Sequence, residues 1–278
     1  MFRRFRQIDV HSPVNWSHPL NNGLLGWYYV PTPAFIAGNK ILNIASNRRD
    51  RQGANDGTVT NGPPVFVAST RNSLAFRQMS AIHYVLLPDG LIAGDSATAS
   101  GTVSGWIKAE NRWTDFRKNL IWSSRNYEVG IEGAQANGGG PYTFIFPPTA
   151  RGSTTTNYRW TYITSTIKSN GFLRVYANGN LAAETAYTGN FQTQVGYGSS
   201  LWTYSDRQVG QGNWLGPYQY DDTKVYNREL SADEIKNLYL ESSGGNPNTL
   251  NFRRRVSVSV GGFKAYWARR NSRVIGAG

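Results

Sequence analysis

The stretch from Asp221 to Tyr239, DDTKVYNRELSADEIKNLY, constrains the fold of this chain more than any other segment. Its pattern changes in the middle, from the two-residue repeat of a strand to the 3.6-residue repeat of a helix. A strand that runs directly into a helix is therefore predicted here. The alternation predicts one strand face with Tyr220, Asp222, Lys224 and Tyr226, and an opposite face with Thr223 and Val225.

The helix has a start signal, an apolar face and a stop signal. Ser231 and Glu234 have the spacing of a capping box, in which each side chain bonds the backbone of the other. Gly244 and Gly245 end the helical pattern. The apolar face is predicted to consist of Ile235, Leu238 and Tyr239.

Composition and spacing predict an all-β fold for the rest of the chain. Thirty glycines, twelve prolines and 13% aromatic residues suit short strands joined by turns. Strand patterns recur roughly every ten to fifteen residues, and Asn178-Gly179 has the sequence of a type I′ hairpin turn. We expect a two-sheet antiparallel jelly-roll sandwich with one short C-terminal helix and extended terminal arms.

The Asp221–Tyr239 segment resembles the closing signature of the laminin-G-like, concanavalin A-like lectin/glucanase superfamily, where a final strand runs into one short helix. Two other segments resemble the same family: Gly101–Lys108 looks like a core strand, and Tyr176–Leu181 looks like its Asn-Gly hairpin. The resemblance covers about residues 23–242. It implies the same sandwich fold and a lectin-like or glucanase-like ancestry.

Positive charge is concentrated at the two ends of the chain. The net charge is +12, of which three arginines near the start supply +3 and the residues after Ser242 supply +7. The body is therefore nearly neutral, which is unlike a nucleic-acid-binding domain. We predict a basic N-terminal arm (1–20), a sandwich (21–243) and a basic aromatic C-terminal anchoring tail (244–278).

The tail resembles those of laminin-G-like proteins encoded in tailed-phage genomes. This resemblance implies a non-enzymatic virion structural protein that decorates or cements a capsid, located on the virion. Its expected partners are the major capsid protein or other virion proteins, in a symmetric homo-oligomer such as a trimer. The predicted anchoring residues are Arg3, Arg4, Arg6, Arg253, Arg254, Arg255, Phe263, Tyr266, Trp267, Arg269 and Arg270.

The alternative is a glycan-binding module that attaches a particle to surface polysaccharide. Such a module needs exposed aromatic rings beside polar groups. The aromatic residues near the last strand supply candidates for this role, although aromatic residues also fill sandwich cores. The predicted glycan-binding residues are Trp202, Tyr204, Trp214 and Tyr218.

Catalysis is not expected. The E-x-D-x-x-E strand of the related glucanases is absent, and the nearest pattern is Glu128 and Glu132, which we interpret as solvent-facing residues on an edge or outer face. No cofactor is predicted. Calcium is weighed at Asp221 and Asp222, but neighbouring strand residues point to opposite faces, so one ion needs a bulge to reach both.

Overall fold

The computed structural model of the chain describes residues 17–30, 33, 36–46, 55–69, 73–78, 84–87, 92, 95–96, 99–109, 118–124, 127–132, 140–145, 149–152, 159–189, 191–192, 200–205 and 218–243. These residues form nineteen strands, one α-helix and two short 3₁₀ turns, Pro19–Asn21 and Ile44–Ser46. The helix, α1, is Ala232–Ser243. In chain order the strands are β1 (Leu24–Tyr28), β2 (Ile36–Ala37), β3 (Lys40–Ile41), β4 (Gly57–Val59), β5 (Phe66–Ala68), β6 (Leu74–Gln78), β7 (Val85–Leu86), β8 (Asp95–Ser96), β9 (Ser100–Ala109), β10 (Lys118–Ser124), β11 (Tyr127–Glu132), β12 (Gly140–Ile145), β13 (Thr149–Arg151), β14 (Thr161–Lys168), β15 (Gly171–Ala177), β16 (Asn180–Tyr187), β17 (Phe191–Gln192), β18 (Ser200–Ser205) and β19 (Tyr218–Tyr226).

The strands form two large antiparallel sheets. Sheet A has the order β16-β15-β14-β9-β19-β6-β5, with β1 also paired to β19. Sheet B has the order β13-β12-β11-β10-β18-β7-β4-β3-β2. Strands β17 and β8 form a separate two-stranded ladder. The predicted two-sheet antiparallel sandwich with one helix is confirmed.

Two hydrophobic clusters hold the layers together. The larger one fills the space between the sheets and includes Phe76, Val129, Ile163 and Trp202. The smaller one lies on the other side of sheet A, where helix α1 packs on the sheet. It contains Leu20, Leu24, Ala45, Trp106, Tyr162, Tyr176, Tyr226, Leu230, Ile235, Leu238 and Tyr239. Because it includes all three predicted apolar helix residues, that prediction is confirmed.

The predicted capping box is present at the start of α1. The Ser231 backbone N–H donates to Glu234 Oε2 at 2.8 Å, and the Glu234 backbone N–H donates to Ser231 Oγ at 3.2 Å. Arg228 also donates both guanidinium branches to Glu234, at 2.9 and 2.7 Å. In the first turn of the helix, the Glu234 carboxylate therefore accepts hydrogen bonds from both the Ser231 backbone and the Arg228 side chain.

The Asn-Gly turn joins β15 to β16 as predicted. Asn178 and Gly179 have φ angles of 52° and 76°, the positive values that a type I′ turn requires. The Asn178 side chain also accepts the Tyr162 backbone N–H at 3.0 Å. The turn therefore ties the hairpin to β14. Within the described residues, no helix is long and apolar enough to cross a membrane.

The capping carboxylate makes stability depend on pH in a defined window. Hydrogen bonding from Arg228 lowers the pKa of Glu234 from 4.5 to about 2. A group with a depressed folded pKa stabilises the fold above its unfolded pKa, and this contribution is lost as the pH falls through the folded value. We expect Glu234→Gln to lower the free energy of unfolding at neutral pH by at most ~1 kcal/mol, because the pair is partly exposed. Urea unfolding should show this difference shrinking between pH 4.5 and about 2.

The matched control is Asp233→Asn, which removes a carboxylate from the exposed first turn of the same helix. It separates the Arg228 pairing from the general preference of a helix N-terminus for negative charge. Parallel pH curves for wild type and Glu234→Gln would contradict the assignment.

Candidate functional site

Two of the predicted glycan-binding aromatics lie in the core. Trp202 is 1% exposed and Tyr218 is 2% exposed, and both belong to the cluster between the sheets. The Trp202 ring stacks on Phe76 at 5.1 Å, and its indole N–H donates to Thr223 Oγ1 at 2.9 Å. Neither Trp202 nor Tyr218 presents a ring face to a ligand, so this part of the predicted platform is wrong.

The backbone of Trp202 explains its burial. Its φ angle of 53° is unusual for a large residue and lets both Leu201 and Trp202 join the core instead of alternating. Tyr204 pairs with Asn119 on β10, and Trp214 lies outside the described residues. The predicted anchoring residues, from Arg3 to Arg6 and from Arg253 to Arg270, also lie outside the described residues.

A β-bulge changes the predicted faces of the last strand. Asp222 has a φ angle of 50°, and the register of β19 against β9 shifts between Asp221 and Lys224. An extra residue reverses the alternation that follows it. Tyr220 and Val225 therefore both join the core between the sheets, whereas Tyr226 joins the cluster beneath α1. The predicted grouping of Tyr220 with Tyr226 on one face is wrong for this reason.

The two adjacent aspartates beside the bulge are bonded to protein donors. Asp221 accepts the Ser73 hydroxyl at 2.5 Å, and Asp222 accepts the Trp27 indole N–H at 2.7 Å. The Lys224 ammonium lies 3.5 Å from Asp222 and 4.9 Å from the Trp27 ring centre. These contacts give the carboxylates a structural role. Among the described residues, no group of three or more metal-ligating side chains occurs.

The glutamate pair on β11 does not sit at an edge. Glu128 and Glu132 belong to a strand that pairs with β10 on one side and β12 on the other. Glu128 lies between the core residues Tyr127 and Val129, so it occupies the face of sheet B that points away from sheet A. It is only 5% exposed. The predicted exposure to solvent is therefore wrong for Glu128, whereas the outer face, one of the two predicted positions, agrees with the register.

The outer face of sheet B is the face that points away from sheet A. One line of paired residues, here called the cross-strand row, crosses all of its strands. The register places these residues side by side, and they alternate with core residues such as Val85 and Val129. The row consists of Ala37, Lys40, Thr58, Leu86, Ser200, Ser123, Glu128, Phe144 and Thr149.

The accessible part of this face centres on β4 and β7. Tyr84 and Leu86 alternate with buried Val85 and Leu87, and Leu86 is 41% exposed. On β4 and the residue after it, Thr58 lies opposite Leu86, and the Thr60 backbone N–H donates to the Tyr84 carbonyl at 2.9 Å. We call Thr58, Thr60, Tyr84, Leu86 and Ser123 the outer patch. It combines a phenol ring, an exposed alkyl group and three aliphatic hydroxyls.

Sequence reasoning missed the outer patch. The alternation from His83 to Pro88 predicts a strand but does not say which of its faces is exposed. In the described part of the chain, the one helix packs on sheet A, and the outer patch lies on the uncovered sheet. Only the pairing of strands that are distant in sequence reveals this combination.

The observed two-sheet sandwich agrees with the family to which the sequence matches. A sequence-family model described as the concanavalin A-like lectin/glucanases superfamily (Laminin_G_3) matches residues 80–236, more than half of the chain. The chain therefore belongs to this family. No curated protein sequence matches the chain.

Solved structures share the fold at low sequence identity. The binding domain of Paraclostridial Mosquitocidal Protein 1 superposes with a TM-score of 0.57 at 15% identity over 79% of this chain and 52% of that one. Domain 4 of the extracellular arabinanase AbnA from Geobacillus stearothermophilus, solved with arabinotriose, gives 0.55 at 17% identity over 78% and 98%. A structure of botulinum neurotoxin type C, whose cell entry depends on two ganglioside molecules, gives 0.56 at 12% identity over 80% and 52%. The chain thus spans about half of the toxin chains and nearly all of the arabinanase domain.

The bonded aspartate at the bulge supports a prediction about stability. Asp222→Asn removes the anion beside Lys224, whose side chain is almost fully buried. Because an unpaired buried ammonium is costly, we expect the free energy of unfolding to fall by about 3 kcal/mol. Adding Lys224→Met should restore part of this loss. Urea unfolding of the two single variants and the double variant gives the coupling energy, and additive losses would contradict the pairing.

Proposed function

We propose that this protein is a non-catalytic carbohydrate-binding module, and that the outer patch of sheet B is its ligand surface. The observation that carries the proposal is an exposed Leu86 beside the half-buried Tyr84 ring, with hydroxyls on both sides, on a sheet face that the described helix does not cover. Sugars present apolar C–H faces and many hydroxyls. A site for them therefore combines a ring or alkyl surface with hydrogen-bonding groups.

The comparisons support a binding role in a limited way. The arabinanase domain was solved with bound arabinotriose, and the cell entry of botulinum neurotoxin type C depends on gangliosides. At 12 to 17% identity these likenesses concern the fold, and function depends on the site that a fold carries. For this chain it is the outer patch itself that supports sugar binding.

The two glutamates on β11 do not match the catalytic strand of the related glucanases. Glu128 and Glu132 have no aspartate between them, whereas the glucanase strand reads E-x-D-x-x-E. Glu128 is only 5% exposed, which leaves little of its surface for contact with a substrate. We therefore propose binding of glycans without hydrolysis.

Substitution of the outer patch tests the proposed surface. A glycan array identifies a bound sugar, and titration calorimetry measures its affinity for the variants. Tyr84→Ala and Leu86→Ala should each weaken binding at least ~10-fold, because they remove the apolar contact of the ligand. Leu181→Ala is the matched control, since Leu181 is 54% exposed on β16 of sheet A.

Two results would count against this surface. One is an array without a bound glycan at high protein concentration. The other is an equal loss of affinity in Leu86→Ala and Leu181→Ala. Thermal unfolding of each variant checks that a loss of binding is not a loss of folding.

We further propose, from the placement of charge in the sequence, that the module is displayed on a phage particle. Basic residues concentrate in the first residues and after Ser242, and aromatic residues such as Tyr266 and Trp267 lie among them, a pattern that suits anchors with a charged rim. The proposed partners are the major capsid protein or another virion protein, and the proposed assembly is a symmetric homo-oligomer. This role is compatible with sugar binding, because the outer patch and the termini are separate parts of the chain.

Quantitative mass spectrometry of purified particles tests the display. A copy number in the hundreds, relative to the major capsid protein, is expected for decoration or cement. Deleting residues 246–278 should then release the protein from the particle. A few copies would favour a tail or fibre component, and complete absence would contradict the virion role.

A further inference from the structure

We infer that the ligand of the outer patch is an uncharged oligosaccharide that lies across the strands of sheet B. This inference rests on the proposed function and adds the chemical class and the direction of the bound chain. The shape of the patch indicates the direction of the chain, and the positions of the charged residues in the cross-strand row indicate its chemical class.

The outer patch is longer across the strands than along them. From Thr58 on β4 to Ser123 on β10, the cross-strand row passes β7 and β18, which is three strand spacings or ~14 Å. Along β7, Tyr84 and Leu86 are two residues or ~7 Å apart. A linear ligand that covers the patch therefore follows the cross-strand row, and it contacts the patch with more than one sugar ring.

The centre of the row is uncharged. Between Lys40 and Glu128 the row contains Thr58, Leu86, Ser200 and Ser123. Leu86 lies two strand spacings from Lys40 and three from Glu128, or ~10 and ~14 Å. Both distances exceed the Debye length of ~8 Å at physiological ionic strength, beyond which interactions between exposed charges are largely screened. A sugar on Leu86 therefore meets hydroxyls and apolar surface.

The charged residues of the cross-strand row do not form a site for an acidic sugar. Among the residues of this row Lys40 is the one cation and is exposed, whereas Glu128 is a buried acid on the other side of Leu86. Carboxylates and sulfates are usually recognised by arginine or lysine placed to bond them directly. Among the described residues, the outer patch contains neither of them.

The overall positive charge of the chain provides a way to tell specific binding from non-specific binding. A protein with a net charge of +12 attracts polyanions without specificity, and such binding weakens as salt is added. Ten of those positive charges belong to Arg3, Arg4 and Arg6 and to the residues after Ser242, none of which is a member of the cross-strand row. Binding at the outer patch should instead be insensitive to salt. Salt dependence therefore separates the two kinds of binding.

The test uses neutral fragments of arabinan, xylan, galactan and glucan, from one to four sugar units long. For each chain that binds, a derivative with one uronic or sialic acid is compared with it at low and high salt. We expect affinity to rise at least ~10-fold from one to three units, because longer chains cover more of the patch. We also expect a change of less than about twofold with salt and no gain from the acidic group. Leu86→Ala should weaken the binding at least ~10-fold, and Leu181→Ala should leave it unchanged.

The possible failures point to different errors. An acidic derivative that binds at least ~10-fold tighter, with a gain that disappears at high salt and in Lys40→Gln, would overturn the uncharged class while Leu86→Ala still confirms the surface. A monosaccharide that binds as tightly as a trisaccharide would overturn the cross-strand chain. If the Tyr84→Ala and Leu86→Ala substitutions change the affinity for no sugar, neutral or acidic, the proposed function itself fails.

Discussion

The bulge at Asp222 in β19 is the constraint on which the surrounding structure depends. Strand β19 pairs with β9 along one side, and with β6 and then β1 along the other, so its register sets that of sheet A. The bulge directs Thr223 to the indole N–H of Trp202 in the core. It also directs Asp222 to Trp27 and Lys224, on the opposite face of sheet A. One irregular residue thus links the two sheets and holds β1 against β19.

The helix then makes the two outer faces different. Its charged cap and its apolar face hold α1 on sheet A, over Trp106 and Tyr162. A sheet in a sandwich needs to bury only one face, and the face that remains is free to carry a binding site. For this chain the described helix lies on sheet A and does not cover the outer patch of sheet B, where Leu86 is 41% exposed.

The same fold accommodates both of the proposed roles because they use different parts of the chain. Aromatic residues near β19, which the sequence suggested for glycan binding, are needed to fill the core between large sheets, as Trp202 and Tyr218 do. The surface proposed for sugars is instead poor in charge and modest in aromatic content. The positive charge of the chain belongs to the termini, where the proposed contacts with a particle lie.

Local sequence determined the local structure of this protein. The capping box of Ser231 and Glu234, the Asn178-Gly179 turn and the helix face of Leu238 follow from side chains that act within a few residues of each other. Tertiary structure decided which side of each strand is buried. An alternating sequence defines two faces but does not say which one faces the core, and a bulge exchanges the two faces along the rest of the strand. For that reason the sequence alone does not predict that Tyr220 and Trp202 lie in the core, and it does not predict the outer patch. Its residues Thr58, Leu86 and Ser123 are far apart in the chain and become neighbours only through the register of sheet B.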